Sequence, residues 1–337
     1  MSHPTVSAGY ARALLDFAVA QGASAEALQR RSGLDNDALA DPDNRVPLQV
    51  YKDLMSAAKV MCDDPALPLH LGAARNFTEI SVVGLICYSA ATMGEALMEL
   101  NRFGRLVAEL DLPEQDERFQ VQQIDGASWL VDTRTDPNGF PEMTEETWAR
   151  FICETARNFP GKPFALSVHV THARPEHGDV YEQVMQVPVV FESVRNAIRF
   201  DPAWLTMPTH RGNTYAFGVL SERAEKLRRA LESSRTTRGQ VERFLIPVLH
   251  KGDANMAQVA AALGMSRQSL YRRLKAEGIS FEDLHDVLRH RMALHYLDAR
   301  KVSVNETAYL VGFSDPSSFS RAFKRWTGDS PGSWKRA

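Results

Sequence analysis

The chain has 337 residues, 44% of them hydrophobic and 24% charged, with three cysteines and a formal net charge of −3. That is a globular composition long enough for two domains, and it excludes disordered, collagen-like and disulfide-stapled classes. The longest apolar stretch, residues 82–93, is broken by Ser and Thr and too short to span a bilayer. The opening Met-Ser-His-Pro has no signal-peptide pattern, and the widely spaced Cys62, Cys87 and Cys153 suit no metal site, so a cytoplasmic protein is expected.

Up to about residue 107 the chain reads as mostly helical, with apolar residues at helical spacing over 12–20, 25–31, 48–60 and 92–107. Thr92, with Glu95 three places on, is a predicted cap, and Glu95, Glu99 and Arg102 read as exposed helix pairs. Two strands are predicted at 119–124 and 128–133 around an Asp125-Gly126 turn. A helix over 142–158 follows, then a half-buried strand over 164–171 and strand candidates at 187–191 and 196–200. This half is therefore expected to be α+β. Tyr88, Phe103, Trp129 and Trp148 are candidates to line a ligand pocket, with ordinary core as the alternative for each. His169, His172 and His177, near Glu176 and Asp179, read as solvated loop residues: histidines three apart on a strand face opposite ways and cannot share an ion. No phosphate loop, dinucleotide fingerprint or nucleophile elbow occurs, so no catalytic residue, metal or cofactor is expected.

Residues 221–231 read as a charged amphipathic helix with Leu220, Ala224, Leu227 and Leu231 on one stripe, packed either on its own domain or on a second copy. The polar run 232–239 reads as a linker. The expected domains are 1–220, a dimer helix and linker over 221–239, and 240–337.

The last hundred residues carry one helix–turn–helix pattern twice, over 255–277 and 303–326. Each copy opens on a capping pair, Asn255 with Gln258 and Ser303 with Glu306. An apolar stripe follows: Met256, Val259, Ala260 and Leu263 in one copy, Val304, Thr307, Ala308 and Val311 in the other. Gly264 or Gly312 stops the first helix, and Ser266 or Ser314 is placed to cap the next. In the second helices, Leu270 and Leu274, or Phe319, Ala322, Phe323 and Trp326, point inward. Arg267, Gln268, Tyr271, Arg272 and Lys275, and Ser317, Ser320, Arg321 and Lys324, are the candidate DNA-contacting residues: Arg pairs with guanine edges, Gln with adenine, and Lys, Tyr and Ser suit phosphate or base. Phe281, Leu284, Leu288 and Met292 mark a connecting helix that would fix the distance between two reading heads, placing them about 10 bp apart on one face of the duplex. Residues 240–337 hold 15 Lys+Arg against 10 Asp+Glu, a net +5, so the remainder carries −8. A basic reading domain behind an acidic partner predicts salt-dependent binding to nucleic acid.

From about 235 to the end the chain resembles the DNA-binding domain of the AraC/XylS family of bacterial transcription regulators, most specifically in Gly312-Phe313-Ser314-Asp315 and Phe319-Ser320-Arg321-Ala322-Phe323-Lys324-Arg325-Trp326 through Gly328 and Ser330-Pro331. The resemblance implies base contacts from Gln268, Tyr271 and Arg272 in the first unit and from Pro316, Ser317, Ser320 and Arg321 in the second; Pro316, which has no amide to donate, and Trp334, where the family usually has Tyr, are departures. Residues 84–97 and 187–208 resemble, less specifically, the N-terminal effector and dimerisation domain of the branch that includes ornithine-use and virulence regulators. The resemblance implies an α+β effector-binding domain followed by an all-α domain with two helix–turn–helix motifs joined by a linker helix. It further implies promoter DNA, RNA polymerase, a small-molecule effector and a second copy of the chain as partners, with activation as the sign. The alternatives are a ligand-blind regulator whose first domain only dimerises, and a DNA-binding domain fused to a small-molecule-processing enzyme.

Overall fold

The computed structural model describes residues 4–113, 117–209, 212–298 and 302–334. The chain divides into two compact units, the first ending at Arg228 and the second beginning at Arg229. No helix among the described residues is long and apolar enough to cross a membrane.

In the first unit β1 (Thr5–Ser7) pairs antiparallel with β2 (Arg45–Pro47). Around this ribbon lie α1 (Ala8–Ala20), α2 (Ala25–Ser32) and α3 (Leu48–Met61). The Ser7 hydroxyl accepts from the Tyr10 amide at 3.2 Å, which starts α1 at Ala8 rather than at residue 12 as its spacing predicts. Next come α4 (Leu67–Ala74), α5 (Val82–Ser89) and α6 (Met93–Val107), the last capped by Thr92 as its spacing predicts.

Five strands follow: β3 (Phe119–Ile124), β4 (Ala127–Asp132), β5 (Ala165–His169), β6 (Val189–Val190) and β7 (Asn196–Phe200). They form one sheet in the order β3-β4-β7-β5-β6, antiparallel except for β5 with β6. Asp125 (φ 51°) and Gly126 (φ 76°) close the β3–β4 hairpin in the primed turn that matches strand twist. The helix α7 (Pro141–Asn158) covers one face of the sheet: Trp148, Ala149 and Ile152 pack with Leu130, Val168 and Ile198. Asp132, buried at the end of β4, pairs with Arg118 and Arg134; burial alone would push its carboxyl up, but the two guanidinium groups hold it below the ordinary range.

Two expectations fail, one in each unit. The segment after β5 is not a solvated loop but leads into α8 (Gly178–Met185), whose Tyr181 hydroxyl donates to Glu145 at 2.6 Å. His177 Nε2 lies 3.1 Å from Glu145 and His172 Nε2 3.1 Å from the Tyr181 oxygen, so both imidazoles are committed to a buried polar cluster. The polar run 232–239 is not a linker either. The helix α9 (Thr214–Arg235) continues through it, and only Thr236 intervenes before α10 (Thr237–Val248). The Thr236 hydroxyl accepts from Gly239 at 2.9 Å, and a β-carbon on Gly239 would lie 1.7 Å from the Ser233 carbonyl oxygen, so glycine is what lets the break be so tight.

The second unit is all helical: α10, α11 (Met256–Ala262), α12 (Arg267–Ala276), α13 (Phe281–Asp298), α14 (Val304–Leu310) and α15 (Pro316–Thr327). Val241, Leu245, Val259, Leu270, Leu274, Leu284, Leu288, Phe319 and Phe323 make its core. Trp334 packs edge-on to Phe323, with ring centroids 5.7 Å apart, so the Tyr-to-Trp departure is a core variation.

Glu146, 1% exposed on α7, ties three helices of the first unit together. Its Oε2 accepts from the hydroxyls of Tyr10 (2.7 Å) and Tyr51 (2.9 Å), and its Oε1 pairs with Arg150. Glu146→Gln leaves the Arg150 guanidinium buried without its carboxylate and should cost about 3–5 kcal/mol. Hydrogen exchange on the full chain should show α1, α3 and α7 opening faster while α11–α15 keep their protection. Unchanged exchange in α1 and α3 would mean that apolar packing alone holds them.

Candidate nucleic-acid interface and interior cavity

Both copies of the repeat form helix–turn–helix units, and both capping boxes close. Asn255 Oδ1 accepts from the Ala257 and Gln258 amides (3.0 and 3.1 Å) while Gln258 Oε1 accepts from the Asn255 amide (2.9 Å). Ser303 Oγ accepts from Glu306 N (3.2 Å) and Glu306 Oε2 from Ser303 N (2.7 Å), a backbone hydrogen bond that holds the Glu306 carboxyl below its ordinary range. The copies diverge at the next cap. Ser266 caps α12 as expected, accepting from Ser269 N at 3.1 Å. In the second copy the extra residue moves the cap from Ser314 to Asp315, which accepts from Ser318 N at 2.8 Å. Pro316 then occupies the first helical position, where an amide would have no intrahelical partner in any case.

On α12, Arg267, Gln268, Tyr271, Arg272 and Lys275 are all exposed, while Leu270 and Leu274 are buried. Arg273, which the i, i+3, i+4 spacing leaves off that face, is exposed too. On α15, Ser317, Arg321 and Lys324 are exposed; Pro316 and Ser320 are half-buried, and the Ser320 hydroxyl donates to the Pro316 carbonyl at 2.8 Å. Among the described residues no carboxylate pairs within 4.0 Å with Arg267, Arg272, Arg273, Lys275, Arg321 or Lys324. Three other arginines of this unit do pair with carboxylates: Arg238 and Arg291 share Glu242, and Arg325 pairs with Asp286. The second helix of each head thus keeps its positive charge for an outside partner.

The two turn glycines look equivalent and are not. Gly264 (φ 65°) and Gly312 (φ 82°) both adopt the left-handed conformation that ends a first helix. A β-carbon on Gly264 would meet nothing within 4 Å, whereas one on Gly312 would lie 2.2 Å from the Leu249 carbonyl oxygen. Gly252 faces it, and a β-carbon there would be 2.8 Å from the Gly312 carbonyl oxygen. Backbone therefore packs on backbone between the 3-10 turn Leu249–Lys251, which leads into the first head, and the turn of the second. Arg289 of α13 completes the junction: Nε donates to the Val311 carbonyl (3.2 Å), Nη2 to the Gly312 carbonyl (3.0 Å), and its guanidinium lies 4.8 Å from the Phe313 ring centre. The connecting helix alone does not fix the two heads. This junction does so as well, and no periodicity announces Arg289.

The first unit holds a partly open cavity of about 370 Å³. Leu97 and Leu100 of α6, Phe119 and Leu130 of the sheet, and Phe151 and Glu154 of α7 are among its walls. Of the four aromatic candidates only Tyr88 borders it. Phe103 and Trp148 are each 0% exposed in the core, and Trp129 lies on the other face of β4, its ring against His169 (4.7 Å). Strand alternation turns Leu130 inward and therefore Trp129 away. Ala224 of α9 is also 0% exposed, covered by its own chain, so it offers nothing to a second copy; Leu220, Leu227 and Leu231 are half-buried.

Residues 22–209 match the family model described as the arabinose-binding domain of AraC transcription regulator, N-terminal, and residues 259–337 match a helix-turn-helix domain model. The chain is 27% identical to the ornithine utilization regulator of Pseudomonas aeruginosa, with 98% of this chain and 96% of that protein covered. It is 23% identical to the HTH-type transcriptional regulator VqsM of Pseudomonas aeruginosa, over 78% of this chain and 81% of that one. The crystal structure of transcriptional regulator CdpR from Pseudomonas aeruginosa aligns at 20% identity with a TM-score of 0.41, covering 91% of this chain and 96% of that chain.

The glycine contrast has a measurable consequence. Gly264→Ala adds only left-handed strain, about 1–2 kcal/mol. Gly312→Ala adds the clash with Leu249 and should cost about 2–5 kcal/mol in all. Thermal denaturation should therefore order the variants wild type, Gly264→Ala, Gly312→Ala; equal loss in the two would mean that the junction relaxes without cost.

Proposed function

This chain belongs to the AraC family of transcription regulators, and from that membership we propose that it is an effector-controlled activator whose two heads read one half-site together. The observation that carries the reading is the pair of recognition helices, α12 and α15, whose exposed basic residues have no carboxylate partner among the described residues and which share one locked core. On such a body the two helices enter successive major-groove segments about 10 bp apart. Gln268, Tyr271 and Arg272 read bases from the first head, and Ser317 and Arg321 from the second, with Pro316 offering only apolar contact. Arg267, Lys275 and Lys324 hold phosphates.

Control by a small molecule is assigned to the cavity of the first unit. Its α6 wall also carries Arg102, whose guanidinium bridges Glu99 (3.6 Å) and Glu225 of α9 (3.7 Å). Arg223 of α9 pairs with Asp43 as well. A ligand that moves α6 thus acts on α9, the helix that runs on to Arg235 past the unit boundary. Occupancy shifts the population of the DNA-competent state only by the ligand's differential affinity for it. Pairing of two copies is assigned to α9 through Leu220, Leu227 and Leu231, and the contact that activates transcription is with RNA polymerase.

Selection of bound duplexes from a random library by the full chain, at physiological salt, tests the reading. A two-part motif with its parts about 10 bp apart is expected. Arg321→Ala should then cost about 1–3 kcal/mol and relax one position in the second part only, whereas Lys324→Ala should weaken all sequences alike and lower the salt slope by about one. A single-part motif indifferent to Arg321→Ala would contradict it.

A further inference from the structure

The cavity holds one charged side chain with an atom to spare. Glu154 of α7 borders it, and its Oε2 accepts from the Phe77 amide at 3.1 Å. Its Oε1 has no hydrogen-bond or ion-pair partner among the described residues. The arginines that border the same space are committed elsewhere. Arg118 is held by Asp132 (3.0 Å) and Thr147 (3.2 Å), Arg150 by Glu146 and the Arg75 carbonyl, and Arg157 by the Ala73 carbonyl and Asn76 Oδ1. Arg105 has a partner too. Asn101 spends both ends of its amide on the Phe119 backbone (2.7 and 3.0 Å), and Thr155 donates to the Phe151 carbonyl. The remaining wall is largely apolar and aromatic, with Tyr88, Phe151, Phe159, Phe164 and Trp204 among its residues.

We propose that the cavity binds an amine: a ligand with an aryl or alkyl body and one primary ammonium group, whose nitrogen pairs with Glu154 Oε1. This rests on the reading of the cavity as the effector site. A carboxylate beside an apolar space is costly without a direct ion pair, and burial pushes the Glu154 carboxyl above its ordinary value, against the lowering effects of the Phe77 amide and of the Arg150 and Arg157 guanidinium groups. An ammonium on Oε1 makes the direct ion pair that neither Arg150 nor Arg157 makes with Glu154, and aromatic faces favour cations. An anionic ligand would meet no uncommitted guanidinium among Arg118, Arg150 and Arg157 and would face the Glu154 carboxylate.

Thermal denaturation of the full chain with three probes of one shape, 4-phenylbutylamine, 4-phenylbutanol and 4-phenylbutyrate, tests the proposal, because a ligand that binds the native state raises the melting temperature by mass action. The amine should stabilise the protein most. Glu154→Gln keeps an oxygen for the Phe77 amide but removes the charge, and should weaken the amine roughly ten-fold or more, to the level of the alcohol. Retained amine affinity in Glu154→Gln overturns the assignment. So does stronger binding of the alcohol or the acid to the wild type; if Leu100→Trp, which fills the cavity, abolishes that binding, the cavity stands as the ligand site and only the charge class is wrong. No stabilisation by any of the three overturns the amine assignment and the cavity reading together.

Discussion

A β-carbon at Gly312 would stand 2.2 Å from the Leu249 oxygen, and the arrangement of the DNA-binding unit depends on that atom's absence. Because it is absent, the turn of the second head lies directly on the chain that leads into the first. Arg289 then satisfies the Val311 and Gly312 carbonyls that α14 leaves unpaired at its end. Packed interiors transmit displacement rather than absorb it. Two helix–turn–helix units joined this way present α12 and α15 as one surface, and cations with no carboxylate within 4.0 Å among the described residues give that surface its sign.

The first unit solves a different problem. It buries charge, and it does so in closed groups: Asp132 with Arg118 and Arg134, Glu146 with Arg150 and two tyrosines, Glu145 with Tyr181 and His177. These pairings use up hydrogen-bonding capacity that would otherwise be costly inside, Glu145 Oε2 excepted, which is buried without a hydrogen-bond partner among the described residues. What is left between α6, α7 and the inner face of the sheet is a space with mostly apolar walls and one carboxylate oxygen outstanding.

Local physics made much of this legible in the residues. Capping pairs, turn glycines and apolar periodicity located α11, α12, α14 and α15, and the Asp125-Gly126 pair located the β3–β4 hairpin, because those signals lie within a few residues of what they specify. Whatever depended on distant contacts stayed hidden. His177 looked solvated because its partner, Glu145, lies 32 residues earlier in the chain, and His172 because Tyr181 reaches it only once α8 has folded back. Trp129 looked like a pocket aromatic because the sequence does not say which face of a strand the cavity will take. Thr236 was concealed in a polar run that resembles a linker but is two helices in near contact. Arg289 and Glu154 sit in ordinary helical patterns, and only the fold shows that the first fastens the two heads together and that the second has an oxygen without a partner.

The claim that both heads act as one rigid reader is tested most directly by changing the spacing they read. Once an operator is in hand, 5 bp inserted between its two parts rotates one part by about half a turn of the duplex. The locked junction predicts that affinity falls to that of either part alone, and that 10 bp inserted in place of 5 does not restore it. Affinity retained through the 5 bp insertion would contradict the account, because it would mean that the two heads move independently of each other.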